Sequence, residues 1–404
     1  MDGALHVRFS GPLVPLVGGL RAELIRLGYA PVTVRVHLQL WAHVSRWLGE
    51  RGLQPAELTQ TALGDFLVER RRTHVVLVSP AGLAPGLDWL RRTGVVPPAP
   101  APVLAGDPVE TVLQAFQGYL QVERGVLAAT GEKYADCLRP FLTDRLRQGA
   151  LDWESLAAGD ISRFTAARLP AMAPSSAKST VTALRSLLRY LHVIGELPLP
   201  LAAAVPSVAS WRLAALPTGL DAGQVQALLG ACDGGTAVGR RDLAVLLLLS
   251  RLGLRSVEVA TLAMSDLDWR DGTLLVHGKG NRLDRLPLPV DVGGALVAYL
   301  QHDRPAQAAG RSVFVRARAP YVALDRKSVG TLVGRAATRA GLGVVHAHRL
   351  RHTVASAVLA AGAPLPEVAQ LLRHRSIAST AIYAKVDHRR LAELARPWPA
   401  GGQL

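Results

Sequence analysis

The chain has 404 residues, of which 49% are hydrophobic and only 2 are cysteine, and its formal net charge is +15 at pH 7. It is long enough to bury large cores in two or three domains, and its low cysteine content excludes a disulfide framework. The positive charge indicates a polyanionic partner, and it favours nucleic acid over a membrane surface. Most basic residues are arginine, which suits bidentate phosphate contacts, although a GC-rich genome would produce the same bias.

Several features predict a cytoplasmic protein with no membrane partner. Cys137 and Cys232 lie far apart in the sequence, which argues for a reducing compartment and against a cysteine metal site. The longest aliphatic run, residues 243–250, is far shorter than the roughly 20 residues that span a bilayer. The N-terminus lacks the basic segment and apolar core of a signal peptide.

Residues 1–92 are predicted to form a helical module, in which Thr33 caps the first long helix. A second helix ends in the basic run 70–72, and the proline-rich residues 93–108 read as a linker. The apolar positions that mark the two helices are Val36, Leu40, Trp41, Val44, Trp47 and Leu48, then Leu63, Phe66 and Leu67.

Residues 109–205 repeat this layout at an offset of about 97 positions, which indicates a duplicated module or a chance likeness of two helical bundles. Gly28 and Gly52, for example, correspond to Gly125 and Gly149. The copy ends in an amphipathic helix over 176–193, before a linker at 206–217. Its apolar face is Val181, Leu184, Leu187, Leu188 and Leu191, and its basic residues Lys178, Arg185 and Arg189 form either a solvated face or a DNA contact.

Residues 218–404 are predicted to be mainly α-helical with a small antiparallel β-sheet. Asp221 and Gln224 form a capping box, and an aliphatic helix follows over 242–252. Two strand-like runs flank the turn GKGN, which predicts a hairpin with Lys279 at its tip. Helices return from about residue 292.

Ionisable side chains concentrate between residues 346 and 385, on segments of helical character. They are His348, Arg351 and His352, then Arg373 and His374, then Tyr383. His346, His348 and His352 have the spacing of zinc ligands, but neither an HExxH glutamate nor a cysteine pair accompanies them.

Four of these residues, together with two that lie further upstream, follow the signature of the tyrosine recombinases in order and spacing. The matching segments are GLRSVEV with Arg255, HGKGNRLDRLPL with Lys279, HRLRHTVAS with His348 and Arg351, LLRHRSIAST with His374, and TAIYAKV with Tyr383. The chain therefore resembles the phage integrase superfamily over residues 218–395, and residues 109–205 resemble its core-binding domain. Residues 1–92 resemble an extra copy of that module, as in some transposon-encoded members.

The resemblance implies helical DNA-binding modules and a catalytic domain that form a C-shaped clamp on DNA. It implies Tyr383 as nucleophile, Arg255 and Arg351 as clamps on the phosphate, and Lys279 as general acid. His348 and His374 would hydrogen-bond the phosphate or assist proton transfer, and Glu258 would orient Arg255 or a histidine. A covalent phosphotyrosyl link preserves the bond energy, so no energy source is expected. Arg255 and Arg351 would offset the charge on the phosphate as metals do elsewhere, so neither a cofactor nor a metal is expected.

The DNA-binding residues that we predict are Lys178, Arg185, Arg189, Arg282 and Arg373. Arg373 stands where the family usually has glycine, and it would add a phosphate contact or face solvent. Residues 388–395 read as a short helix, which in relatives docks on a neighbouring protomer. We therefore expect double-stranded DNA with specific recombination sites as partner, a homotetramer assembled on it, and partner recombinases in some reactions.

These observations predict a site-specific DNA recombinase, an integrase or transposase of a mobile element. The alternatives are a chromosome- or plasmid-dimer resolvase of the same family, a noncatalytic DNA-binding relative, and a metal-dependent hydrolase built on His346, His348 and His352. The complete set of six polar residues argues against a noncatalytic binder, and loss of activity with a chelator would mark the hydrolase.

Overall fold

The computed structural model describes residues 7–98, 107–147, 149–208, 219–278, 282–308, 310–373, 380 and 383. The chain divides into two compact units, one formed by residues 1–99 with 213–404 and the other by residues 100–212. The helical character, with a small antiparallel sheet at residues 267–287, confirms the prediction of a mainly α-helical chain with a small antiparallel β-sheet in its C-terminal part. Within the described ranges, every helix is too short or too polar to cross a membrane.

The N-terminal module is built from amphipathic helices around the buried indole of Trp41. The prediction that Thr33 caps its long helix is wrong, because the helix begins at Pro31 and extended Ala30 is its N-cap. Proline is favoured there because its missing N–H is not needed in the first turn. The helices are α1 (Val17–Arg26), α2 (Pro31–Glu50), α3 (Gln60–Arg70) and α4 (Pro80–Arg92).

The second unit follows the same order of helices, with a short hairpin after its second helix. Its elements are α5 (Pro108–Val122), α6 (Ala128–Asp144), β1 (Leu146–Arg147), β2 (Ala150–Leu151), α7 (Ala158–Arg168) and α8 (Pro174–Val193). The apolar face predicted for α8 is buried as expected. Gly28, Gly52, Gly125 and Gly149 all have positive φ, so the paired glycines serve the same left-handed turns in both modules. Duplication of the module stays a prediction.

The C-terminal part of the first unit carries a small antiparallel sheet among helices. Asp221 and Gln224 form the predicted capping box, with the Asp221 carboxylate accepting from Gln224 N at 2.8 Å. The elements are α9 (Ala222–Gly230), α10 (Ala237–Arg251), α11 (Ser256–Ala260), β3 (Leu267–Asp268), β4 (Thr273–Gly278), β5 (Arg282–Pro287), α12 (Val290–His302), α13 (Arg326–Arg339), α14 (Ala347–Ala360) and α15 (Leu365–Leu371).

The predicted hairpin is present as strands β4 and β5, which pair from Thr273 opposite Pro287 to Gly278 opposite Arg282. Strand β3, which the sequence did not predict, adds to the other edge of β4. The hairpin tip with Lys279 and the predicted helix at 388–395 lie outside the described residues.

Helix α10 is the central support of this domain. Its aliphatic residues Val245, Leu246, Leu248 and Leu249 are completely buried, and it packs against both α12 and α14. Because α14 carries several of the predicted site residues, the packing of α10 sets where those side chains lie.

Replacement of Leu248 by alanine should therefore destabilise the C-terminal part of the first unit. We expect a loss of about 2–5 kcal/mol in the free energy of unfolding, because the cavity left by a fully buried leucine cannot close. Urea denaturation followed by circular dichroism would measure it. Val238→Ala on the same helix is the control, since Val238 is exposed and should change stability by less than about 0.5 kcal/mol. Equal effects of the two changes would contradict this role for α10.

Candidate active site

Arg351 is the most deeply buried charged residue among the described members of the predicted site. Its side chain extends from α14, is 1% exposed, and donates to the carbonyl oxygens of Gly253, at 2.5 Å, and Leu372. Burial, together with the positive charges of Arg255 and Arg373, lowers the pKa of Arg351 to about 10. The guanidinium stays protonated at neutral pH, so it brings a fixed positive charge into a place with little solvent.

Glu258 joins two further arginines in an ion-pair cluster. One carboxylate oxygen accepts from the Arg255 Nη1 at 2.6 Å, and the other accepts from the Arg255 backbone N–H and from Arg373 Nη2, both at 2.8 Å. Burial alone would raise the pKa of Glu258, but the Arg373 charge and the bonds from Arg255 hold it below its ordinary value. The carboxylate is therefore ionised, with arginine on two sides.

Arg373 occupies a position that is awkward for any residue except glycine. Its φ of +53° lies in the left-handed region, which favours glycine. The sequence suggested that this arginine contacts phosphate or faces solvent, but the structure buries it to 7% exposure because Glu258 is its partner. Its Nε atom is buried without a hydrogen-bond partner.

Tyr383, the predicted nucleophile, lies against α14. It is 2% exposed, and its hydroxyl is 2.7 Å from the Nδ1 atom of His352. The His352 ring in turn meets the His348 ring edge-on, with 4.4 Å between centroids. The chain thus aligns His348, His352 and Tyr383 beside Arg351, because residues four apart on a helix share one face.

The environment keeps both histidines and the tyrosine neutral. Desolvation, followed by the charges of His348 and Arg351, lowers the pKa of His352 to about 4. Desolvation and the charges of Arg351 and Arg255 also lower the pKa of His348. Burial raises the pKa of Tyr383, although the Arg351 charge opposes that effect. The phenol therefore keeps its proton at neutral pH in this arrangement.

An open cleft of about 520 Å³ lies beside these groups. Arg255, His348 and Arg351 line it, and so does Arg326 from the first turn of α13. The cleft is the place where a charged group could approach the buried arginines from solvent.

The remaining predicted residues lie elsewhere or outside the described ranges. Lys178 and Arg189 are exposed on α8, whereas the Arg185 guanidinium donates to Val205 O at 2.8 Å and to Ser207 Oγ at 3.1 Å. Arg282 is exposed on β5, 3.2 Å from the Asp284 carboxylate. Lys279 and His374 fall among the residues that the structure does not describe.

Sequence reasoning missed two members of the site. His352 was noted among the clustered ionisable side chains and as a zinc ligand in the alternative, but it was given no catalytic role, although its i,i+4 spacing from His348 was a signal that both face the same way. Arg326 gave no signal, because only the tertiary fold brings the start of α13 to the cleft. Among the described residues, His346, His348 and His352 do not form a cluster that could hold a metal ion.

Comparison with known proteins agrees with this geometry. A model described as the phage integrase family matches residues 219–390, and one described as the N-terminal SAM-like domain of phage integrases matches residues 113–193. A candidate integrase/recombinase of Sinorhizobium fredii, y4rA, is 36% identical over 100% of this chain and 98% of its own length. The chain belongs to the phage integrase family of tyrosine recombinases. It is an enzyme of the tyrosine-type site-specific recombinase class.

Other proteins match between about two thirds and nearly all of the chain. The tyrosine recombinase XerC of Azotobacter vinelandii is 34% identical over 69% of this chain and 93% of its own. Among solved structures, XerH bound to palindromic difH substrate shares the fold with a TM-score of 0.56 and 17% identity, over 98% of this chain and 99% of XerH. The lambda integrase dimer bound to a COC' core site has a TM-score of 0.52 at 17% identity, over 73% of this chain and 99% of that one.

The low pKa of His352 predicts a pH-dependent stability. Because the folded chain takes up this proton only near pH 4, while an unfolded histidine takes it up near pH 6.5, the unfolded state binds more protons between those values. Stability should fall by up to about 3 kcal/mol as the pH drops from 6.5 to 4. His352→Asn should lose less stability over the same interval, because it lacks the group that takes up this proton on unfolding. Urea denaturation at each pH measures the free energy of unfolding. Equal losses of stability in the wild-type and His352→Asn proteins would contradict the prediction.

Proposed function

We propose that this protein cuts and reseals double-stranded DNA at specific sites through a 3′-phosphotyrosyl intermediate on Tyr383. The observation that carries the proposal is the cleft lined by Arg255 and Arg351 in a tyrosine recombinase, with the hydrogen-bonded pair of His352 and Tyr383 beside it. The covalent link conserves the energy of the broken phosphodiester, so resealing needs no ATP.

Electrostatics supports a phosphate in the cleft. Two guanidinium groups, from Arg255 and Arg373, pair with the Glu258 carboxylate. The Arg351 guanidinium lies near enough to interact with the same three charges, so this cluster of described residues has an excess of positive charge. A phosphodiester between the Arg255 and Arg351 guanidinium groups would offset that excess and relieve their mutual repulsion. The same arginines would stabilise the charge that grows on the nonbridging oxygens during attack, the role that a metal ion has in other nucleases.

The other side chains have roles around that phosphate. Tyr383 attacks phosphorus and displaces the 5′ oxygen, which takes a proton from Lys279. His348, which lines the cleft, and His374 hydrogen-bond the phosphate. Glu258 orients Arg255 through the two bonds that it accepts from that residue. Exposed Lys178, Arg189 and Arg282 contact the DNA backbone outside the cleft.

The biological role that we favour is integration or transposition of a mobile element. The full-length match to y4rA includes the N-terminal module, whereas the XerC relative covers 69% of this chain. The integrase of the transposon Tn1549, bound to circular intermediate DNA, has the same fold with a TM-score of 0.50, 17% identity, and coverage of 70% of this chain and 99% of that one. Resolution of chromosome or plasmid dimers is the second candidate, because relatives named XerC and XerD match 69% and 70% of the chain.

We also propose assembly of several copies on DNA. Lambda integrase has been solved as a dimer on a core site and as a tetramer bound to a Holliday junction. A homotetramer that holds two DNA sites would let four tyrosines exchange strands in pairs, with or without a partner recombinase.

Replacement of Tyr383 by phenylalanine should abolish the covalent protein–DNA adduct. Nicked duplex DNA carrying the end of the element traps the adduct, because the short strand beyond the cut diffuses away. We expect adduct formation in EDTA by the wild-type chain and a fall of at least about a thousandfold in Tyr383→Phe. Tyr299→Phe, which removes another buried hydroxyl of the same domain, should still form the adduct. An adduct with Tyr383→Phe would assign the nucleophile to another residue.

Replacement of Lys279 by alanine should slow cleavage by about 10²–10⁴-fold, the usual contribution of a general acid. A substrate with sulfur in place of the 5′ bridging oxygen should restore most of the rate, because a thiolate leaves without protonation. Single-turnover cleavage of the two substrates measures the effect. If the sulfur substrate were equally slow, general acid catalysis would belong to another group.

A further inference from the structure

We infer that His352 is the general base for Tyr383, a catalytic role beyond the residues of the family signature. The inference rests on the proposed function, because it concerns the same phosphotyrosyl step. Its basis is the hydrogen bond of 2.7 Å between the Tyr383 hydroxyl and His352 Nδ1, which places a ring nitrogen against the one proton that the nucleophile must lose. Proton abstraction requires this kind of contact between the two heavy atoms.

The direction of that hydrogen bond is set by the protonation of both groups and by the tautomer of His352. The pKa of Tyr383 is raised by burial, so the phenol is protonated, and the pKa of His352 is lowered to about 4, so its imidazole is neutral. We assign the imidazole proton to Nε2, which leaves Nδ1 with the lone pair that accepts the phenol O–H. The resting site thus holds a protonated nucleophile next to an unprotonated base.

His352 is better placed for this task than His348. The His348 side chain lines the cleft with Arg255 and Arg351, where the phosphate is proposed to lie. His352 lies one turn further along α14, on the side of Tyr383, with 5.5 Å between their ring centroids. His348 is therefore placed to contact the phosphate, and His352 is placed to contact the nucleophile.

The proton moves as the new bond forms. In cleavage, the Tyr383 oxygen bonds to phosphorus, its O–H bond breaks, His352 Nδ1 takes the proton, and the bond from phosphorus to the 5′ oxygen breaks with protonation of that oxygen. A weak base suffices, because a phenol oxygen that is bonding to phosphorus becomes far more acidic than free phenol. The phosphate anion also favours an imidazolium nearby. In resealing, the imidazolium returns the proton to the departing phenolate, so atoms and charges balance over the cycle.

The test separates base catalysis from simple positioning. His352→Asn keeps an amide oxygen near the place of Nδ1, so it can accept the hydrogen bond but cannot take up a proton. We expect single-turnover adduct formation on the nicked duplex to fall by about 10²–10⁴-fold, with DNA binding within about threefold of wild type. His302→Asn, the same change at an exposed histidine of the domain, should react like wild type. An unchanged rate in His352→Asn would overturn the inference.

A second measurement shows whether the missing function is proton removal. Incorporation of a ring-fluorinated tyrosine at position 383 makes the phenol more acidic, so that it ionises without a base. In this fluorinated background, the rate difference between the chain that keeps His352 and the His352→Asn variant should shrink to less than about tenfold. The inference would also be overturned if His352→Asn slowed the fluorinated protein as much as it slows the protein with natural tyrosine. Failure of the wild-type chain to form any adduct would instead refute the proposed function, so the two failures are distinguishable.

Discussion

The burial of one carboxylate among several arginines is the constraint on which the catalytic domain depends. Glu258 at the first turn of α11 and Arg373 after α15 lie 115 residues apart in sequence, yet their side chains meet at 2.8 Å. Arg255 shares the same carboxylate, and Arg351 lies close enough for its pKa to respond to all of them. Removal of Glu258 would leave buried guanidinium groups facing one another, which costs more than loss of a surface ion pair.

Much of the fold and part of the site could be predicted from the sequence. The helical periodicity of α8 and the capping box at Asp221 predict local structure correctly, because short-range contacts decide both. Motif order and spacing identified Arg255, His348, Arg351 and Tyr383 as members of one site, and the structure brings them to one region. That information came from family resemblance, since no local rule links Arg255 to residues so far along the chain.

The rest depends on contacts between distant segments. Thr33 looked like a helix cap because it has the right side chain, but Pro31 starts the helix earlier. Arg373 is buried because it pairs with Glu258. The sequence pattern does not show that Glu258 lies next to the end of α15. The hydrogen bond between Tyr383 and His352 distinguishes His352 from His348. Which of the two side chains on α14 meets this later segment is decided only by the folded chain.

Arg351 has a further consequence for how variants of this protein would behave in cells. Its guanidinium donates hydrogen bonds to Gly253, just after α10, and to Leu372, just after α15. Arg351 therefore stabilises the packing of these segments in addition to lining the cleft. A change at this position would lower the amount of folded protein and its intrinsic rate together. Inactive alleles at Arg351 would therefore resemble unstable alleles in a genetic screen, and only the quantity of surviving protein would tell the two defects apart.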